Sequence, residues 1–258
     1  MKRTVFLLSF AVVLFSTTSF TFAQILFHAD FENNSGVNDP AKWEKNNVTP
    51  GAHLYKLEGG WLTQTADGCD KSTKTLLPAD GANWGDYTLA VDMRFRGDIG
   101  DSNDVISIIF RYTAPDAYYN FSIGASQYNF QWWLVDTHAN EAVCFDGPLP
   151  PANQTLAMGD HGVQIDDAKG KEAYTAVVKV TGNKIEAFFG KQVDVLAGNL
   201  PPKVGEAEDN KHKKGTVGIH MASVPASFDN IIVGGPAGFS VDPKDKLATS
   251  WGRIKSAR

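Results

Sequence analysis

The sequence predicts an all-β fold of antiparallel strands, packed as a sandwich or closed as a barrel. Three observations carry this. Apolar residues fall at every second position in short runs, turn residues separate the runs at near-regular intervals, and no long helical period occurs before residue 239. In Tyr87 to Arg96, Leu89, Val91, Met93 and Phe95 alternate with Thr88, Ala90, Asp92, Arg94 and Arg96. That two-residue period puts one face of a strand in a core and turns the other away from it. Similar runs follow at Val105 to Tyr112, Tyr118 to Ile123, Phe130 to Val135, Tyr174 to Val180, Lys184 to Phe189, Thr216 to Met221 and Phe228 to Val233. Ala114-Pro115-Asp116, Thr181-Gly182-Asn183, Gly190-Lys191 and Pro225-Ala226 supply the turns.

Two stretches break the rhythm. Asp146 to Asp167 carries Pro148, Pro150 and Pro151, and Leu196 to Lys214 carries Pro201, Pro202 and a polar run, so both read as long surface loops. Strand patterns resume beyond each, which argues against a domain boundary there. The chain therefore reads as one domain over residues 24–238, a size that large all-β domains reach.

At the N-terminus, Lys2 and Arg3 precede an apolar run from Val5 to Phe20, and Thr21-Phe22-Ala23 offers small residues for cleavage before Gln24. Residues 1–23 thus read as a secretory signal peptide, and the run is too interrupted by Ser and Thr for a membrane span. The expected location is extracellular or periplasmic. Loss of two cations with the leader takes the formal charge from −5 to −7. An acidic chain without a basic cluster beyond Lys211, Lys213 and Lys214 is a poor match for nucleic acid or an anionic membrane. Cys69 and Cys144 are an even pair in an exported chain and are free to form a disulfide or to stay reduced. In residues 239–258, Asp242 can cap a helix starting at Pro243, with Leu247, Trp251 and Ile254 on one face. That stripe would dock on the sandwich or on a protein partner.

Several segments resemble the concanavalin A-like lectin/glucanase sandwiches, and within them the laminin G-like modules of secreted bacterial proteins. They are Phe27-His28-Ala29-Asp30-Phe31-Glu32, Trp84 to Leu89, Phe110-Arg111-Tyr112 with Ala117 to Phe121, Tyr174-Thr175, and Ser227-Phe228-Asp229-Asn230-Ile231. The 3-keto-disaccharide hydrolase domain family is related. The resemblance, over roughly residues 25 to 234, implies a two-sheet jelly roll with a convex and a concave sheet and a ligand on the concave face. In related modules a structural calcium sits between the terminal strands, and Asp30 and Asp229 are the residues that correspond.

Combined with the alternation, that implication selects a patch. If Leu89, Val91 and Met93 point inward, Arg94 points out, and the same parity turns Arg111, Tyr118, Asn120, Gln131 and Trp133 outward. Aromatic rings beside amide and guanidinium donors suit a sugar, whose C–H faces stack while its hydroxyls need fixed hydrogen bonds. Trp133 and Tyr118 are the stacking candidates, although packing is the commoner role for any one aromatic. Trp43, Trp61 and Trp84 read as structural, and Asp92 as a cross-strand partner of Arg111.

A glycosidase needs two carboxylates at a set separation. The alternating acidic strand of the superfamily's glucanases has no counterpart here. Neither a Gly-x-Ser-x-Gly elbow, a phosphate loop nor a dinucleotide fingerprint occurs, and the six histidines show no paired metal spacing. The expected function is noncatalytic binding of a poly- or oligosaccharide. A glycoside-processing enzyme and a protein-interaction module are the alternatives.

Overall fold

The computed structural model describes residues 24–40, 55–64, 83–97, 105–114, 117–125, 131–137, 155–165, 170–222 and 224–239. The leader, both cysteines and the tail helix expected after residue 239 lie outside these residues.

The strands are β1 (Ile25–Ala29), β2 (Lys56–Glu58), β3 (Trp61–Gln64), β4 (Tyr87–Phe95), β5 (Val105–Ala114), β6 (Ala117–Gly124), β7 (Gln131–Thr137), β8 (Thr155–Asp160), β9 (Tyr174–Thr181), β10 (Lys184–Lys191), β11 (Lys203–Glu208), β12 (Thr216–Ala222) and β13 (Ala226–Gly234). They form two antiparallel sheets of a jelly-roll sandwich. An eight-stranded sheet runs β11, β10, β9, β4, β13, β3, β2, with β1 also on β13; a five-stranded sheet runs β12, β5, β6, β7, β8. The two terminal strands pair with each other.

One core lies between the sheets, and the alternation identifies its members. Leu89, Val91, Met93 and Phe95 of β4 meet Ile106, Ile108 and Phe110 of β5, Phe121 and Ile123 of β6, and Trp132 and Leu134 of β7. Each large apolar side chain removed from water contributes about 1.5–3 kcal/mol, so a one-residue slip in any of these strands would forfeit several such terms.

The two segments read as loops each contain a strand: β8 within residues 146–167, and β11 within residues 196–214. Both are edge strands. Their exposed faces carry little apolar alternation, which hides them from a periodicity reading. The edges meet over the Trp132 ring, and Gly159 and Gly205 make room for it. A Cβ at Gly205 would stand 2.1 Å from Trp132 Cη2, and one at Gly159 would stand 3.0 Å from its Nε1.

Candidate functional site

The five-stranded sheet turns a second face away from the core, and register assembles a row of polar side chains across it. His220 of β12 pairs with Ser107 of β5, Ser107 with Ser122 of β6, and Ser122 with Trp133 of β7. Val217 and Ile219, Ile106 and Ile108, Phe121 and Ile123, and Trp132 and Leu134 fill the core on the other side. Alternation therefore fixes the outward direction of the row. The Ser107 and Ser122 hydroxyls are 2.8 Å apart, and Ser122 Oγ donates to Asn120 Oδ1 at 3.1 Å.

Tyr118 lies on this face in a cluster with Ile109 and Tyr112, its ring centroid 5.4 Å from that of Tyr112. Trp133 packs with Val105 and Val135. Gln131, two residues earlier on β7, is partly buried.

Turning away from the core is not the same as being open to water. Trp133 and Asn120 are each 1 % exposed, and Tyr118 is 3 % exposed. The expectation of an open stacking platform is corrected accordingly: these groups occupy an enclosed face. There the indole Nε1 of Trp133 and the Oγ1 of Thr216 are buried without a hydrogen-bond partner among the described residues. A buried donor without an acceptor costs about 1–3 kcal/mol.

Arg111 does not belong to this face. Its backbone has φ +51°, and the register of β5 slips against both neighbours, between Phe110 and Ala114 on one side and between Thr216 and Gly218 on the other. Such a bulge inserts one residue and resets side-chain parity. Tyr112 thus joins Ile109 on the outer face, while Arg111 turns toward the other sheet. There Nε and Nη2 donate to the Gly85 carbonyl at 3.2 and 3.1 Å, Nη1 to the His212 carbonyl at 3.0 Å, and Nη2 to the Gly182 carbonyl at 2.9 Å. Asp86 Oδ1 is 3.5 Å from Nη2. The Arg111 N–H donates to the Tyr87 hydroxyl at 2.8 Å, and burial pushes that phenol's pKa well up. Arg111 is 1 % exposed, so it is an interior clamp on the opposite side of β5 from Trp133.

Beside the clamp, His212 Nε2 lies 2.8 Å from Asp136 Oδ1, and Lys211 Nζ donates to Asp136 Oδ2 at 2.8 Å. The Tyr119 hydroxyl donates to Asp209 and accepts from His212 N–H. The segment Asp209 to Lys214 is thereby strapped across this end of the sandwich.

Arg94 is remote as well, because it emerges from the far surface of the eight-stranded sheet. Its guanidinium carbon sits 3.8 Å from the centre of the Trp61 ring, so Trp61 carries a cation as well as its structural load. On that surface Asp92 and Asp229 are direct cross-strand partners, and Asn230, with φ +45°, bridges them through Nδ2 at 3.0 and 3.2 Å. Asp92 also accepts from Thr175 Oγ1 and Gln192 Nε2, both at 2.6 Å. Those partners replace the expected one with Arg111.

Burial pushes the Asp229 carboxyl up to about 7, and the charges of Asp92, Glu32 and Asp30 push the same way. Asp30 Oδ1 accepts from Asn38 Nδ2 at 2.7 Å and from Glu32 N–H at 3.3 Å. Among the described residues no three His, Cys, Asp or Glu side chains stand around one point as metal ligands. No described helix is long and apolar enough to cross a membrane.

The sequence reading therefore places Tyr118, Asn120, Gln131 and Trp133 on one face and misplaces Arg94 and Arg111. It misses Ser107, Ser122 and His220. Small polar residues inside apolar strands were the available signal, but only the long-range register shows that they share a row.

No family model matches the chain, and no curated protein matches it. Solved structures do. The VIP36 exoplasmic/lumenal domain in its Ca2+/Man2-bound form is similar at TM-score 0.50 and 8% identity, over 74% of this chain and 82% of that one. The fold is that of the concanavalin A-like sandwiches. The carbohydrate-binding module CBM66 from Bacillus subtilis gives TM-score 0.46 at 15% identity, over 67% of this chain and 90% of that one. The kappa-carrageenase from Pseudoalteromonas carrageenovora, in complex with an oligotetrasaccharide of kappa-carrageenan, gives 0.47 at 9% identity, over 87% and 99%. At these identities the likeness is one of fold.

Proposed function

We propose that this chain is a secreted, noncatalytic carbohydrate-binding module whose ligand site is the outer face of the five-stranded sheet, where the ligand reaches the buried groups only by displacing what covers them. The observation that carries the reading is the indole N–H of Trp133, buried without an acceptor among the described residues, on the strand face that also carries Asn120, Ser122 and Ser107. Buried donors are paired in the great majority of cases; the Trp132 indole is also unpaired but lies in the core, whereas that of Trp133 lies on a face of hydroxyl and amide groups that a ligand's acceptor would suit. A sugar hydroxyl is a matching one, accepting from the indole and donating to amide or hydroxyl oxygens. The VIP36 domain that shares the fold is a Ca2+/Man2-bound form.

Binding is favoured over catalysis by what this face offers: hydroxyls, an amide, an indole and an imidazole. The paired carboxylates Asp92 and Asp229 lie on the other sheet, and Asp92 is occupied by Thr175, Gln192 and Asn230. A calcium between Asp30 and Asp229 is a finer proposal. It is supported by the excess negative charge around Asp229 and predicts a higher Tm on adding calcium that Asp229→Asn abolishes.

A glycan array with the wild type, Trp133→Phe and Asn120→Ala tests the site. The reading predicts that bound glycans lose at least tenfold in affinity in either variant. Equal binding by all three proteins would remove this face from the function.

A further inference from the structure

A shallow, open cavity of about 620 Å³ lies beside the end of β10, and none of Tyr118, Asn120, Gln131 and Trp133 lines it. Val163, Val193 and Pro202 give it apolar walls, and Gln164, Glu172 and Lys191 give it polar groups. Its size falls within the roughly 300–1,000 Å³ of small-molecule sites.

Its walls are held in place by the fold. A Cβ on Gly190 would stand 3.0 Å from Pro202 Cδ and 3.2 Å from Pro201 Cβ, so only glycine allows this approach of β10 to the diproline without displacement. Phe189 N–H donates to the Pro202 carbonyl at 3.0 Å, and Gln192 N–H to the Ala173 carbonyl at 3.0 Å. On the facing side, His161 Nδ1 accepts from the Val163 N–H at 3.2 Å. Nε2 therefore carries the ring proton and donates to the Gly124 carbonyl at 3.1 Å. Burial lowers the pKa of this imidazole, in keeping with that neutral form.

The charges select the ligand. Glu172 Oε1 accepts from Lys191 Nζ at 3.2 Å and Oε2 from the Tyr174 hydroxyl at 3.0 Å. The two charges cancel, so the pair presents no net charge to attract an ionic ligand. Still available are further Lys191 N–H donors, the Gln164 amide and the second lone pairs of Glu172, set beside apolar walls that fit the C–H face of a ring.

We propose that this cavity binds the end of a neutral saccharide, one or two rings long, as a site separate from the sheet face. The inference shares its ligand class with the reading above and does not need the sheet face to bind.

The test is amide-resolved NMR of the full chain, titrated with sucrose, maltose, cellobiose, N,N′-diacetylchitobiose and a sulfated, carboxylated chondroitin disaccharide. At least one neutral disaccharide should give saturable shifts at Val163, Gln164, Lys191 and Val193. Gln164→Trp, which fills the mouth from an exposed position, and Lys191→Met should each weaken that binding at least tenfold. Absence of shifts at these amides with every neutral sugar, unchanged affinity in both variants, or tighter binding of the charged disaccharide would each overturn it. The sheet-face reading is followed at the Trp133 indole N–H in the same spectra, so either can fail alone.

Discussion

Arg111 Nη2 donates to the Gly182 carbonyl at 2.9 Å across 71 residues of sequence, joining β5 of one sheet to the β9–β10 turn of the other. With the carbonyls of Gly85 and His212 it closes one end of the sandwich. Arg111→Met would leave those carbonyls unpaired and the bulge unsupported. We expect a loss of about 3 kcal/mol, a Tm lower by about 6–12 °C, measured by calorimetry. An unchanged Tm would show that the clamp is not needed.

Trp132 makes a second structural prediction. Gly205→Ala would drive a methyl group to 2.1 Å from its ring. Overpacking of this kind costs about 1–3 kcal/mol, and β11 must shift to accommodate it. Near-ultraviolet circular dichroism, which follows the indole environment, should change along with the stability.

The pH dependence of stability follows from Asp229. Its carboxyl is pushed up to about 7 in the folded chain from an ordinary value of 3.8, so between these values the folded state holds a proton that the unfolded state has released. Stability from this group is thus fully present below about pH 4 and is lost as pH rises through about 7. Asp229→Asn keeps an oxygen to accept from the Asn230 N–H, which Asp229 now does at 2.7 Å. Relative to this variant, the wild type should lose stability from pH 4 to pH 8 in calcium-free buffer. A wild type that gains on the variant over that range would contradict the assignment.

How far the sequence alone reaches can be followed residue by residue. Strand parity is legible wherever apolar residues alternate: Leu89 to Phe95, Phe121 and Ile123, and Trp132 and Leu134 all face the core as the pattern requires. Parity fails at Arg111, because a bulge at φ +51° on a non-glycine residue has no compositional mark. It also cannot tell a face that points away from the core from one open to water, as Trp133 and Asn120 show. β8 and β11 escape detection because edge strands need little burial. The row from His220 to Trp133 depends on four strands coming into register, which no local window contains.

The central claim is that a glycan satisfies the Trp133 indole. It is tested most directly by observing that indole's N–H resonance while the full chain is titrated with a glycan it binds. The account predicts a saturable shift of this resonance, together with the Asn120 and Ser122 amides, at the concentration where binding occurs, and slowed exchange of the indole proton with water. Glycan binding that leaves the Trp133 N–H unmoved would contradict it.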